Sequence, residues 1–209
     1  MNMIDIIFQD AQILLCLKPV GVLSEEGGMP DLLRAQTGSE EIYCVHRLDR
    51  AVGGLMVYAK TKLAAASLSR QITEGGFEKR YLAVCRGLAP AQGEMRDLLY
   101  HDARANKSFV VRRMRRGVRE AALRYETLEQ RDNLSLVRVE LLTGRSHQIR
   151  VQFASRQLPL LGDRRYGGGE GEIALWSHEL HFVHPQSGEK LQFSAPPPTK
   201  EPWTFFTKA

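Results

Sequence analysis

Short apolar runs alternate with turn signals along the chain. Residues 13–17 are continuously apolar and are closed by Lys18-Pro19 and Gly21, the pattern of a buried strand running into a turn. Residues 24–30 (SEEGGMP) read as a loop, after which Asp31 is placed to cap a short helix that ends at Gly38. Residues 42–45 and 54–59 read as strands with a polar segment between them. Thr61 opens the clearest helix: Ala64, Leu68 and Ile72 fall on one face, and Gly75-Gly76 stops it. Residues 81–84 form a further strand. In 134–142, Val137, Val139 and Leu141 alternate with Arg138 and Glu140, which predicts a half-buried strand. Residues 146–157 read as a helix capped by Ser146 and ended by Pro159. Residues 173–183, a turn at 184–188 and a strand at 191–193 complete the pattern, followed by an aromatic tail with Trp203, Phe205 and Phe206 that reads as core or lid. Many strands with about three helices, not strictly alternating, predict an α+β fold with a mixed, largely antiparallel sheet and flanking helices and loops.

The 209 residues suffice for one sizeable core or two small, tightly joined lobes, and a single domain over 1–209 is the expectation. No apolar run reaches the length of a membrane span and nothing near the start resembles a secretory leader, so a cytoplasmic chain without membrane contact, monomeric by default, is expected. The cysteines (Cys16, Cys44, Cys85) are isolated in apolar surroundings and read as small buried hydrophobes.

Charge changes the picture more. Residues 103–119 hold seven of the 29 basic side chains (Arg104, Lys107, Arg112, Arg113, Arg115, Arg116, Arg119) and no acid, leaving 22 basic against 24 acidic elsewhere. The excess is thus a local stripe, which suggests a polyanion partner. A solvated loop is the alternative.

Two segments carry candidate chemistry. In residues 45–54 (VHRLDRAVGG), Asp49 stands between Arg47 and Arg50, and neighbouring guanidinium charge favours the ionised carboxylate that a base or nucleophile needs. Alone, the segment also fits an ordinary polar turn. In residues 141–150 (LLTGRSHQIR), Arg145 sits where a strand hands over to a helix whose first N–H groups favour an anion. That anion is either a phosphate or a carboxylate such as Asp49, which Arg145 could grip with two parallel bonds. An ordinary helix cap fits the segment as well.

Taken together, HRLDRAVGGLMVYAK, EKRYLAVCRG, LLTGRSHQIRVQFA, PLLGDRRYGG, the Lys18-Pro19-x-Gly21 start and the closing SHELHFVHPQSGE resemble the RluA family of pseudouridine synthases, in family order from about residue 10 to 195. The resemblance implies isomerisation of uridine in structured RNA, a ribosomal or transfer RNA stem-loop, to its C-glycoside. It implies no cofactor and no metal. It implies Asp49 as the catalytic carboxylate, acting either at the C2′ proton or directly on carbon, and Tyr81 as the ring stacked on uracil. Arg145 becomes the partner of Asp49, and Arg47 the wedge that replaces a flipped-out nucleotide. Leu142 and Ile149 become apolar pocket wall. Lys107, Arg112, Arg113, Arg115 and Arg116 become RNA phosphate contacts.

The chain departs from the family at Val52-Gly53, where a Thr-Ser pair is usual. Two hydroxyls that could support the Asp49 loop are lost and Gly53 adds backbone freedom, a departure that reads as tolerated variation because Asp49, Tyr81 and Arg145 are all kept. With the chain starting almost at the first motif, no S4-type RNA-binding domain is expected. A catalytically silent RNA-binding relative is the alternative. A glycosidase or nucleosidase fits less well, because one acid among arginines replaces the usual two carboxylates. His178, His181 and His184 invite a metal site, but a strand would turn His181 away from the other two.

Overall fold

A computed structural model of the chain describes residues 3–209. Contacts divide these into two compact units: residues up to Lys79 with Trp176–Pro196, and Arg80–Leu175 with Pro197–Ala209.

Unit 1 is a mixed sheet. Strand β1 (Ile6–Gln9) pairs antiparallel with β2 (Ile13–Lys18), and β2 antiparallel with β4 (Gly53–Ala59). Strand β10 (Leu175–Val183) lies parallel to β4 and carries β11 (Lys190–Ser194) antiparallel, while the short β3 (Tyr43–Cys44) pairs with the far end of β4. Every residue of β4 is buried, which explains its unbroken apolar run where a one-faced strand would alternate. Helix α2 (Lys62–Glu74) begins at Thr61, whose hydroxyl accepts from Ala64 N at 3.1 Å, and ends at Gly75 in the left-handed conformation. Its Ala64 and Leu68 pack with Ile13, Leu15, Leu55, Val57 and Phe182, and a leucine buried in this way contributes about 1.5–3 kcal/mol. Helix α1 (Met29–Thr37) starts earlier than the sequence suggests. Asp31 lies in its first turn and accepts from Gly27 N instead of capping, and Pro30 supplies a start that needs no N–H.

One polar link fastens the ends of unit 1. Asp10, in the β1–β2 turn, accepts from Gln12 N, Ile13 N and the Nε2 of His184, which opens the turn after β10. Partial burial pushes the Asp10 carboxyl up, but those backbone N–H groups and the His184 charge outweigh it and hold the group below its ordinary value of 3.8.

Unit 2 is an antiparallel sheet in the order β5-β9-β8-β6-β7, formed by β5 (Glu78–Arg86), β6 (Gln92–Asp102), β7 (Lys107–Val111), β8 (Val118–Arg131) and β9 (Leu134–Leu141). The strands β6 and β8 are long, and charged residues on their open face mask them in the sequence. Helix α3 spans Gln148–Ala154, shorter at both ends than predicted. The C-terminal aromatics pack on this unit, with Trp203 and Phe206 buried and Arg131 over the Phe205 ring at 4.4 Å, which is the core reading of the tail.

The strand pairs within the two units are thus mostly antiparallel, with β4 and β10 parallel, as expected. No helix among the described residues is long and apolar enough to cross a membrane. The three cysteines are free thiols, Cys16 and Cys85 fully buried and Cys44 partly so.

Candidate active site

Asp49 lies on the loop between β3 and β4, and nearly every part of that loop is held by a named bond. Ser24 Oγ donates to Leu48 O at 2.8 Å and accepts from Leu48 N at 3.0 Å, so two loops are joined through one buried hydroxyl. Arg50 O accepts from Gly21 N at 2.8 Å, and Arg50 Nε returns a bond to Gly21 O at 2.7 Å. Val52 N closes a turn onto Asp49 O at 2.9 Å. His46 is buried, accepts from Val57 N on β4 and leans on Phe77 at 5.5 Å. Burial, helped by the charge of Lys79, pushes its imidazole down to about 3, so it serves the loop as a neutral acceptor.

A further cation of this loop enters the sequence only as part of the Lys18-Pro19-x-Gly21 motif. Lys18 is wholly buried at the end of β2, and its ammonium points to three carbonyls: Pro19 O at 2.9 Å, Val22 O at 2.8 Å and Arg50 O at 3.4 Å. Three donors thereby meet three acceptors. Burial lowers its pKa from 10.5 to about 8, opposed by the charge of Asp49 and aided by that of Arg50. The sequence assigns the positive field around Asp49 to Arg47 and Arg50. In the structure Arg47 donates to Glu25 at 2.8 Å while still interacting with the Asp49 charge, Arg50 binds Gly21 O, and Lys18 adds to both. A lysine before a proline looks like a surface residue, and only the closure of the 18–22 turn buries it.

The Val52-Gly53 segment is packed in place without the two hydroxyls. Val52 is buried, and Gly53 is a strand residue paired with Trp176. A Cβ at Gly53 would come within 2.7 Å of the Trp176 ring and 3.2 Å of Lys18 O. The next residue, Gly54, has φ +117° and lies so close to Ser177 that a side chain would strike its backbone. The indole takes the space that a side chain at 53 would need, and the segment is packed instead of free.

Unit 2 carries the other predicted residues. Tyr81 is buried on β5 opposite Val139. Arg145 lies exposed between β9 and α3, its Nε donating to Glu120 O at 2.9 Å. Ser146 does not cap α3. The residue before the helix is His147, in the left-handed conformation at φ 54°, with no side-chain cap. Gln148 does the local work: its Oε1 accepts from Arg145 N at 3.0 Å and Thr143 Oγ1 at 2.7 Å. The Arg145 N–H is therefore already bonded within the corner. Ile149 is buried on α3, whereas Leu142 is 39% exposed. Behind the corner Arg150 and Asp163 form a buried bidentate pair at 2.7 and 2.9 Å.

The basic stripe forms β7 and the loop that follows it. Arg112, Arg113, Arg115 and Arg116 are exposed, and no carboxylate pairs with them among the described residues. Arg115 lies over the Tyr100 ring at 5.1 Å, and Lys107 lies between the Phe109 and Tyr166 rings at 5.6 and 5.4 Å. His178 meets Ala195 O and Glu179, His181 meets Glu78 and Glu179, and His184 meets Asp10, so Glu179 is shared by the first two while His184 stands apart, and no group of three metal-ligating side chains forms among the described residues.

Residues 12–155 match the family model described as RNA pseudouridylate synthase. The chain is 33% identical to the Uncharacterized RNA pseudouridine synthase YhcT of Bacillus subtilis, over 93% of this chain and 69% of that protein. It is 30% identical to the Ribosomal large subunit pseudouridine synthase D of Neisseria meningitidis, over 93% of this chain but only 58% of that longer protein. The Dual-specificity RNA pseudouridine synthase RluA of Escherichia coli is 34% identical, over 91% of this chain and 92% of its own length. Among solved structures, Human RNA Pseudouridylate Synthase Domain Containing 1 shares the fold, with a TM-score of 0.79 at 24% identity over 93% of this chain and 84% of that one.

Proposed function

Because this chain belongs to the RNA pseudouridylate synthase family, we propose that it isomerises uridine in a structured RNA with Asp49 as the essential carboxylate. In that reaction the N1–C1′ bond of uridine breaks, C5 joins C1′, and the C5 proton leaves as N1 takes one up. Atoms and oxidation state are conserved overall, so the protein's task is to extract the nucleotide, hold it and move protons. The observation that carries the reading is the Asp49 loop itself. A carboxylate on a backbone fixed by the Ser24, Gly21 and Lys18 bonds, beside a buried ammonium, is preorganised for chemistry in a way that a surface turn is not.

The other roles rest on the motif match. Tyr81 stacks on uracil, Arg145 partners the carboxylate, and Leu142 and Ile149 border the base. Arg47 enters the RNA as the wedge, which requires it to leave Glu25. Lys107, Arg112, Arg113, Arg115 and Arg116 contact RNA phosphates. Both units serve one catalytic domain, and the substrate is a ribosomal or transfer RNA stem-loop.

Asp49→Asn tests the reading. The variant is expected to form no pseudouridine in RNA from cells lacking the gene, while its thermal unfolding and its RNA affinity stay at wild-type values. Pseudouridine formation by that variant would refute the assignment. Wild-type protein that binds such RNA and isomerises none of it would instead mark a silent relative.

A further inference from the structure

A groove of about 180 Å³ in unit 2 shares only Arg145 with the scheme above. Its walls include His101 and Ser108 from the β6–β7 hairpin, Arg119 from β8, and Gly144, Arg145 and Ser146 from the β9–α3 corner. Two guanidinium groups face it, and no carboxylate lines it among the described residues. Each arginine is steadied through one nitrogen only, Arg119 by Val118 O at 3.1 Å and Arg145 by Glu120 O at 2.9 Å. Most of the Arg119 fork therefore remains for a ligand, and Arg145 keeps donors beyond the two that a carboxylate would take.

The walls are held in place by the protein. Ser108 is buried, and its Oγ donates to Ser146 O at 2.6 Å, which fastens β7 to the corner. That hydroxyl has a single proton, so its 3.1 Å contact with His101 Nδ1 has the imidazole as donor. His101 is thereby fixed in orientation, with Nε2 free to donate to a phosphate oxygen when the ring carries its second proton. Ser108 N donates to Tyr166 Oη at 2.7 Å, and that oxygen also lies within hydrogen-bond distance of His147 Nδ1 at 2.9 Å. Gly117, also on the rim, is the last residue of the arginine loop that follows β7, so the groove continues the basic surface. A chain of phosphates lying along Arg112–Arg116 would run on into it.

We propose that this groove is a phosphodiester site, in which Arg119, Arg145 and His101 hold one backbone phosphate of the RNA next to the nucleotide being isomerised. The placement beside the target rests on the role proposed for Arg145, whereas the phosphate site itself stands on the groove. Such a site would set the register of the RNA, since one fixed phosphate limits which nucleotide reaches the carboxylate.

Binding measurements without turnover separate the two readings. The probe is an RNA stem-loop with a uridine-rich loop, and the same RNA with a neutral methylphosphonate at each loop linkage in turn. Arg119→Ala is expected to lower the slope of log affinity against log salt by about 0.7–0.9, the value for one lost phosphate contact, while Arg119→Lys keeps most of it. One methylphosphonate position is expected to weaken wild-type binding and to make Arg119→Ala silent, and His101→Ala should weaken binding of the unmodified RNA severalfold. The proposal is overturned if Arg119→Ala leaves the salt slope unchanged in a normally folded protein, or if its effect is the same on every neutralised RNA. Failure of the Asp49→Asn test would leave these binding results intact.

Discussion

The Asp49 loop and the arginine loop after β7 are both short, polar and rich in arginine, yet they are built in opposite ways. Around Asp49 the backbone groups are bonded within the protein, through Ser24 to Leu48, Gly21 to Arg50 and Lys18 to three carbonyls. After β7, one turn bond from Val118 N to Arg115 O and the contact of Arg115 with Tyr100 are the supports, and the guanidinium groups face solvent. The difference fits the roles proposed for the two loops. A reacting carboxylate must be in place before substrate arrives, so its supports are internal. Phosphate-binding cations find their partners on the RNA, and pairing them internally would weaken binding.

The contrast can be broken most severely at Lys18. Lys18→Met should leave three carbonyls without their donor, lower the unfolding free energy by about 1–3 kcal/mol and shift the loop. A displacement of that kind is worth up to about 10²-fold in single-turnover pseudouridine formation. Urea unfolding and a rate at saturating RNA check both, and an active, stable variant would show that the loop does not depend on its buried ammonium.

The opposite substitution should affect binding alone. Changing Arg112, Arg113, Arg115 and Arg116 together to alanine is expected to reduce the salt slope of RNA binding by about 3, on the scale of 0.7–0.9 per contact. Each exposed side chain should change stability by no more than about 0.5 kcal/mol. An unchanged slope would identify the stripe as a solvated loop.

The smallest effect sharpens the comparison with a charge that is purely structural. Asp10 is held below 3.8 in the folded state, so it contributes stability above its unfolded pKa and loses it as pH falls through the folded value. Asp10→Asn should therefore melt at a lower temperature than wild type near pH 6. The gap should close as the pH is taken below 3.8. A gap independent of pH would mean that the His184 link does not depend on the carboxylate charge.

The sequence made some of this legible and hid the rest for identifiable reasons. Helix α2 was readable to the residue at its cap because Thr61 and Gly75 act locally. The strands around Asp49 and the motif residues were readable because apolar runs and turn residues punctuate them. The burial of Lys18, the Gln148 bridge and the Gly53–Trp176 contact were not, since each depends on residues far apart in the chain or on the path of one turn. The long β6 and β8 gave only weak strand signals on either side of the basic stretch, because charges on their exposed face broke the alternation on which strand reading relies. The groove at Arg119 needed three separate segments to be brought together, and no single stretch of sequence encodes it.

Trp176, which fills the space above Gly53, has a practical consequence. The chain has two tryptophans, and Trp203 is the other. One belongs to each compact unit, and both are buried. The protein therefore carries its own pair of optical probes. With Trp203 replaced by phenylalanine, the remaining emission reports from the β4 end of the Asp49 loop. With Trp176 replaced, it reports from the unit that bears the arginine loop. Quenching or a spectral shift on adding RNA would then show which of the two responds first, without any attached dye.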